Sequence, residues 1–223
     1  MAYRFQFQVI WQNLDLLLVG VWLTIKLSAL ATVLGLSVGM VGAMCRTSSN
    51  GILRAIATSY VELIRNTPFL VQLLFIFFGI STLGPKLGAD QAALLALTIN
   101  FGAYATEIIR GGIIGIPQGQ IEAALSLGMK RLQIFRHIII PPAIATIYPA
   151  LTSQIILLLL LSSVVSQIAA EELTFTGNFL RSRTFRDLEV YLAIAIIYVI
   201  LALSLKLLAY LLQQRLFRFQ RYL

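Results

Sequence analysis

Three stretches without a single charge constrain this chain most: Leu27–Met44, Phe69–Ile80 and Ile155–Val165. They stand in a sequence of 223 residues that is 59% apolar and 12% charged, with mean hydropathy +0.88. A soluble core rarely takes up that much apolar surface, so the pattern predicts a polytopic membrane protein. No hydrophilic stretch is long enough for a second folded domain. The single cysteine, Cys45, has no intrachain partner for a disulfide. Met1–Asn13 carries little charge and no small-residue cleavage site follows it, so no cleavable signal peptide is expected.

The apolar periodicity places spans at about Leu16–Cys45, Phe69–Ile80, Gln91–Ile113, Ala143–Ile168 and Leu188–Leu212, judged against the roughly 20 residues a helix needs to cross. Residues 1–13, with Tyr3, Phe5, Phe7 and Trp11, suit a membrane interface. Ile52–Leu63 reads as an interfacial helix or as the start of the second span. Lys26 lies in the first span, from which it can snorkel to the headgroups. Glu62 and Arg65, and likewise Glu107 and Arg110, stand three apart and are candidate pairs. The Glu107–Arg110 pair reads as a structural tie or as part of a gate. Ala169–Glu189 reads as a polar loop. Arg215, Arg218 and Arg221 form a basic tail suited to a membrane surface.

Between the third and fourth spans, Ile121–Pro142 reads as one short amphipathic helix. Ile121, Ala124, Leu125, Gly128, Leu132 and Phe135 recur at helical spacing. Pro117 stands where a helix begins, Glu122 suits the first turn, and Pro141-Pro142 is expected to close it. Ala123, Ala124 and Gly128 allow close approach of another surface. The pattern alone admits two readings: a helix gripped by a partner, or a basic helix lying on lipid.

The net charge of +8 fits the positive-inside bias of membrane proteins. No basic and aromatic stripe supports a nucleic-acid surface. Five spans place the termini on opposite sides. With the amino terminus outside, Arg46, Arg54, Arg65, Arg110, Lys130, Arg131, Arg136, Arg215, Arg218 and Arg221 fall inside. Arg4, Lys86, Arg181, Arg183 and Arg186 fall outside. This orientation puts the Ile121–Pro142 stretch in the cytoplasm.

Several chemistries are absent from the sequence. No phosphate-binding G-x-x-x-x-G-K-[ST] occurs, so the chain is not expected to bind ATP or to be an enzyme. No HExxH occurs, His137 is the only histidine, and no metal site is expected. His137 reads as a solvated or partner-facing residue. Ser162, Ser163 and Ser166 have no histidine to activate them within the membrane.

Glu122-Ala123-Ala124, three residues, Gly128, nine residues, then Ile138-Ile139-Ile140-Pro141 is similar to the EAA loop of binding-protein-dependent ABC importer permeases. Ile140 stands where that family has Leu, a volume-conserving swap. Arg65-Asn66-Thr67-Pro68-Phe69-Leu70-Val71-Gln72, the Gly102-Ala103-Tyr104, Glu107 and Arg110-Gly111-Gly112 set, and Glu172-Leu173-Thr174 resemble elements of its polar amino acid subfamily. The resemblance implies an all-α integral membrane protein of about five transmembrane helices, the type I ABC importer permease fold, with a cytoplasmic coupling helix. It implies a multi-pass subunit of the bacterial inner membrane, with a periplasmic amino terminus and a cytoplasmic carboxyl terminus. The implied partners are a second permease subunit, identical or related, two cytoplasmic ATPase subunits that hold ATP and Mg, and a periplasmic amino-acid-binding protein. No cofactor falls to this chain itself.

The division implied is 1–19 as a periplasmic or interfacial segment, 20–212 as the transmembrane domain and 213–223 as a basic cytoplasmic tail. Glu122, Ala123, Ala124, Gly128, Lys130 and Arg131 are the expected ATPase-coupling residues. Where the family often has a charged K-D-T-S run, this chain has Leu160-Leu161-Ser162-Ser163, so its pathway is less polar. Polar residues within spans tend to face the bundle interior. Asn100, Tyr104, Ser162, Ser163, Ser166 and Gln167 are therefore candidate pathway residues, with ordinary interhelical hydrogen bonding as their other reading. The rival function is an ATP-independent secondary transporter or channel subunit.

Overall fold

The computed structural model describes residues 4–84 and 86–217 and shows helices joined by short turns, with no strand among those residues. Tyr3, Arg218 and Arg221, assigned above to the membrane surface, lie outside them. After a short α1 (Gln8–Gln12), the helices are α2 (Leu14–Arg46), α3 (Gly51–Arg65), α4 (Phe69–Gly79, with a further turn Ile80–Leu83) and α5 (Ala89–Ile114). They continue as α6 (Gln118–Ser126), α7 (Arg131–Ile168), α8 (Leu173–Thr184) and α9 (Asp187–Leu216). Among the described residues, α2, α5, α7 and α9 are each long and apolar enough to cross a membrane, and α3 with α4 forms a fifth, broken unit bent by 109°.

α5 is the central post. Of its apolar window 61% is buried, against 33% for α2, 17% for α7 and 11% for α9. Lipid is as apolar as leucine, so helices in a membrane adhere through close packing rather than through water exclusion. α2 meets α5 along small residues one turn apart: Ala31, Gly35, Gly39 and Ala43. A Cβ on Gly39 would lie 2.5 Å from the Cβ of Ala105 and 3.1 Å from its carbonyl carbon. Only glycine allows that approach. Leu27, Leu73, Leu97, Phe101 and Val165 complete the core where α2, α4, α5 and α7 converge.

The corner between α3 and α4 explains the Arg65–Gln72 motif. Pro68 adopts an extended conformation at the start of α4 and stops α3 from running on. The Gln72 amide nitrogen lies 2.7 Å from the Ile64 carbonyl and 3.0 Å from that of Thr67, carbonyls left free by the break. Its oxygen accepts from Asn100 Nδ2 at 2.9 Å, so the corner is fastened to α5. Glu62 accepts from Asn66 Nδ2 at 3.0 Å, while Arg65 reaches Glu107 on α5 at 4.0 Å. The expected Glu62–Arg65 tie is thus replaced by a tertiary one.

Two further expectations are corrected. Ala169–Glu189 is not a polar loop, because it contains α8. Leu173, Thr176, Gly177 and Leu180 on one face of α8 are buried against α2 and α9. Pro141-Pro142 does not end a helix either. α7 begins at Arg131 and runs through both prolines, with a wide π turn at Phe135–Ile139 immediately before them. There the Ile140 N–H donates to the Phe135 carbonyl, five residues back. This shift of the ladder makes room for rings that would clash with an ordinary α turn.

α8 is anchored by a fully buried carboxyl group, that of Glu172. One oxygen accepts the Phe175 N–H at 2.9 Å, and the other accepts the Tyr198 hydroxyl of α9 at 2.6 Å. The Thr24 hydroxyl of α2 accepts the Leu173 N–H at 3.2 Å. Burial pushes the Glu172 carboxyl above its ordinary range, and the hydrogen bonds from Tyr198 and backbone N–H groups pull the other way without reversing it.

Gly39→Leu overfills the α2–α5 contact and lowers stability by about 1–3 kcal/mol. Gly111→Leu, on α5 where a Cβ meets nothing within 4 Å, changes the unfolding temperature in detergent little. Because its folded value is raised, Glu172 contributes stability that is full below the ordinary glutamate range and declines as pH rises through the raised value. Glu172→Gln fixes the uncharged form and flattens the decline of unfolding temperature with rising pH. An unaltered slope would exclude Glu172 as its source.

Candidate coupling segment and the charged end of the bundle

α6 hangs between the ends of α5 and α7, and its sequence explains how it is stopped. The Gly128 N–H donates to the Leu125 carbonyl at 2.9 Å, and the Met129 N–H to the Ala124 carbonyl at 3.1 Å. This pair of bonds is a Schellman closure, which needs a left-handed residue just past the helix. Gly128 supplies it with φ +74°. Ile121–Pro142 is therefore two elements rather than one helix: α6 ends at Ser126, and α7 starts three residues beyond Gly128. Lys130 and Arg131 stand at the start of α7, not on α6.

The side chains of this segment divide in two. Ala124 is buried against the chain, whereas Glu122, Ala123, Gly128, Lys130 and Arg131 are exposed. A Cβ built on Gly128 would meet nothing within 4 Å. The motif's glycine is needed here for its backbone angle, and the space around it is open. Leu125, Leu127 and Leu132 are 51%, 82% and 76% exposed, an uncovered apolar patch beside Lys130, Arg131 and Arg136. His137 is also exposed, with Nδ1 3.0 Å from the Gln133 carbonyl. Just inside, α5 and α7 touch closely: a Cβ on Gly112 would lie 3.3 Å from the Ala143 carbonyl.

Glu107 gathers three arginines from three helices. Arg110 grips it with two bonds, Nε to Oε1 at 3.1 Å and a guanidinium nitrogen to Oε2 at 3.0 Å. Arg46, at the end of α2, donates to Oε1. Arg65, at the end of α3, stands 4.0 Å from Oε2 and also covers the Tyr104 ring at 5.4 Å. The cluster ties α2, α3 and α5 at one level. The spacing of Glu107 and Arg110 disclosed one of these contacts. Arg46 and Arg65 come from distant helices, and the only sequence sign of them was a basic residue at each helix end.

The candidate pathway residues are not all alike. Asn100 is buried and donates to Gln72. Tyr104 is half-buried beneath Arg65. Ser162, Ser163 and Ser166 lie in the tight 3₁₀ stretch that ends α7, and each hydroxyl donates to a carbonyl three residues back, at 2.7–2.8 Å. Gln167 is exposed. The structure thus brings Asn100 together with Gln72 and Tyr104 with Arg65, while the serines satisfy themselves along their own helix. Among the described residues, no group of three or more His, Cys, Asp or Glu side chains is arranged to hold a metal ion.

Residues 17–218 match the family of binding-protein-dependent transport system inner membrane components. The chain is 34% identical over 214 residues to the glutamine transport system permease protein of Escherichia coli, covering 95% of this chain and 98% of that one. It is 36% identical over 201 residues to the octopine transport system permease protein of Rhizobium radiobacter, covering 86% and 82%. Among solved structures, it superposes on an amino acid ABC transporter crystallised with histidines, with TM-score 0.90, 39% identity and coverage of 96% and 100%. An inward-facing methionine ABC transporter shares the fold, with TM-score 0.75 at 23% identity over 92% and 98%.

Because one carboxylate serves three guanidiniums, Glu107→Gln is predicted to cost about 1–2 kcal/mol, from leaving the partly buried Arg46 and Arg110 without a counter-charge. Arg110→Gln costs less, since Arg46 still pairs with the carboxylate. Thermal unfolding of the three proteins in one detergent checks the order. Equal losses would contradict a shared hub.

Proposed function

The chain belongs to the binding-protein-dependent transport system inner membrane component family, and from that premise we propose an ATP-driven importer of polar amino acids in which this chain is one permease subunit. The observation that carries the reading is α6: a capped, exposed helix with an uncovered leucine patch, set between two spans that pack closely. The match to glutamine and octopine permeases supports a polar amino acid substrate.

Glu122, Ala123, Ala124 and Gly128, with Lys130 and Arg131 at the head of α7, form the joint with two cytoplasmic ATPase subunits. ATP and Mg belong to those subunits, which hydrolyse the nucleotide. No reactive group is required of this chain. A second permease subunit, identical or related, completes the pathway, and a periplasmic binding protein delivers substrate. The amino terminus is periplasmic and the carboxyl terminus cytoplasmic, an orientation supported by the surplus of basic residues at the α6 end. ATP binding closes the ATPase pair and displaces α6. α5 and α7 then move with it, which shifts the balance between inward-open and outward-open states.

Asn100, Tyr104, Ser162, Ser163, Ser166 and Gln167 are the proposed pathway residues. Leu160 and Leu161, at positions often charged in the family, leave little for this subunit to read on a charged substrate. Selectivity then rests mainly with the binding protein.

Gly128→Glu tests the joint. The substitution strains the left-handed position by about 1–2 kcal/mol and places an anion in the open space beside α6. The ATPase is expected to be lost on copurification in mild detergent, together with ATP-driven uptake in vesicles. Gly128→Asn, which tolerates the same backbone angle, retains both. Undiminished uptake by Gly128→Glu, or uptake by the chain without any ATPase, would overturn the reading.

A further inference from the structure

A groove between α2 and α3 plays no part in the coupling path. It encloses about 460 Å³, and its walls include Val38, Val41, Cys45, Leu53, Ile56 and Tyr60. The two hydroxyls in its wall are committed elsewhere: Ser37 Oγ donates to the Val33 carbonyl at 3.0 Å, and the Tyr60 hydroxyl to the Ile99 carbonyl at 2.7 Å. The walls therefore offer no free hydroxyl donor to a peptide or a sugar, and their apolar side chains suit an alkyl chain. Val41 and Ile56, 61% and 63% exposed, form its rim, so it opens on the flank of the bundle rather than into its centre.

Two arginines adjoin one end of the groove in the chain. Cys45 and Leu53 lie in its wall, and each is followed in sequence by an arginine, Arg46 and Arg54. Arg46 shares Glu107 with Arg65 and Arg110, which leaves that cluster with excess positive charge. Arg54 is exposed and has no carboxylate partner among the described residues. The one acid on α3, Glu62, lies two turns further along and holds Asn66. An apolar slot with a net-positive arginine cluster and an arginine without a carboxylate partner next in the chain to its end has the two parts of a phospholipid site.

We propose that this groove binds an anionic phospholipid, with an acyl chain between α2 and α3 and the phosphate held by Arg54 beside the net-positive cluster that contains Arg46. That Arg54 faces the cytoplasmic leaflet rests on the orientation proposed above, but the binding itself does not. Native mass spectrometry of the purified complex, incubated with phosphatidylglycerol or phosphatidylcholine, tests it. Phosphatidylglycerol is expected to be retained in preference. Arg54→Gln lowers its retention about fivefold, the scale of one basic residue near an anionic headgroup. Ser37→Phe, which fills the slot from an exposed position, lowers it with Arg54 intact, and Arg183→Gln on α8 leaves it unchanged.

Equal retention of the two lipids, or unchanged retention in both groove variants, would overturn the proposal. Displacement of the bound anion by inorganic phosphate would reduce it to a phosphate site. A photo-crosslinker at Ile56 that captures a second permease chain instead of lipid would assign the groove to a protein contact. Lipid retention is counted without reference to ATP or uptake, so failure of the importer reading and failure of this proposal are separately visible.

Discussion

The contact between α2 and α5 bears the rest of the molecule. In a bilayer, two apolar helices gain nothing by hiding from solvent, because their surroundings are already apolar. They hold together only if their backbones come close enough for dense dispersion contacts and short polar ties. Gly35 and Gly39 provide that approach, and Leu27, Leu97 and Phe101 fill in around it. With this pair fixed, α3 and α4 attach through Gln72, Asn100 and Tyr60. α7 packs on the other side of α5, and α8 and α9 attach through Glu172. Apart from the α7 contact, these attachments are polar groups at least partly buried with their partners supplied, which in hydrocarbon is costly to break.

On the proposed function, the same arrangement lets the end carrying α6 act as a transmission. α6 is short, is stopped at both ends by backbone devices, and presents its only buried side chain, Ala124, to its own chain. It is linked directly to α5 and α7, which touch at Gly112 and Ala143 just inside. A force on α6 would reach both spans through two short connections, and α5 and α7 meet each other closely just beyond them. The Glu107 cluster stiffens this end by holding α2 and α3 to α5. Whatever moves α6 moves a body of several helices.

The sequence showed much of this. Apolar runs located four long spans to within a few residues at most ends, and the EAA-like spacing pointed to the α6 segment. What it concealed has physical reasons. The start of α7 was hidden because Pro141-Pro142 is an ordinary helix stop, and only a π turn at Phe135–Ile139 lets the helix pass through. α8 was hidden by its arginines, although Leu173, Thr176 and Leu180 carry a helical period. Gly128 was legible as a small residue, but its role as a left-handed cap depends on a backbone angle that no residue pattern states. Sequence spacing pairs Arg65 with Glu62, whereas tertiary packing gives it Glu107. Pairings across helices are set by the fold, and spacing along one helix cannot reveal them.

The central claim is that α6 is held by an ATPase in the membrane as it exists. Incorporation of a photo-crosslinking residue at Leu127, the most exposed leucine of the patch, in native membranes tests it without purification. The account predicts a single dominant adduct whose added mass is that of an ATPase subunit, with a yield that changes when ATP is supplied. Adducts with lipid alone, unaffected by ATP, would mean that α6 lies on the bilayer surface and that the coupling account is wrong.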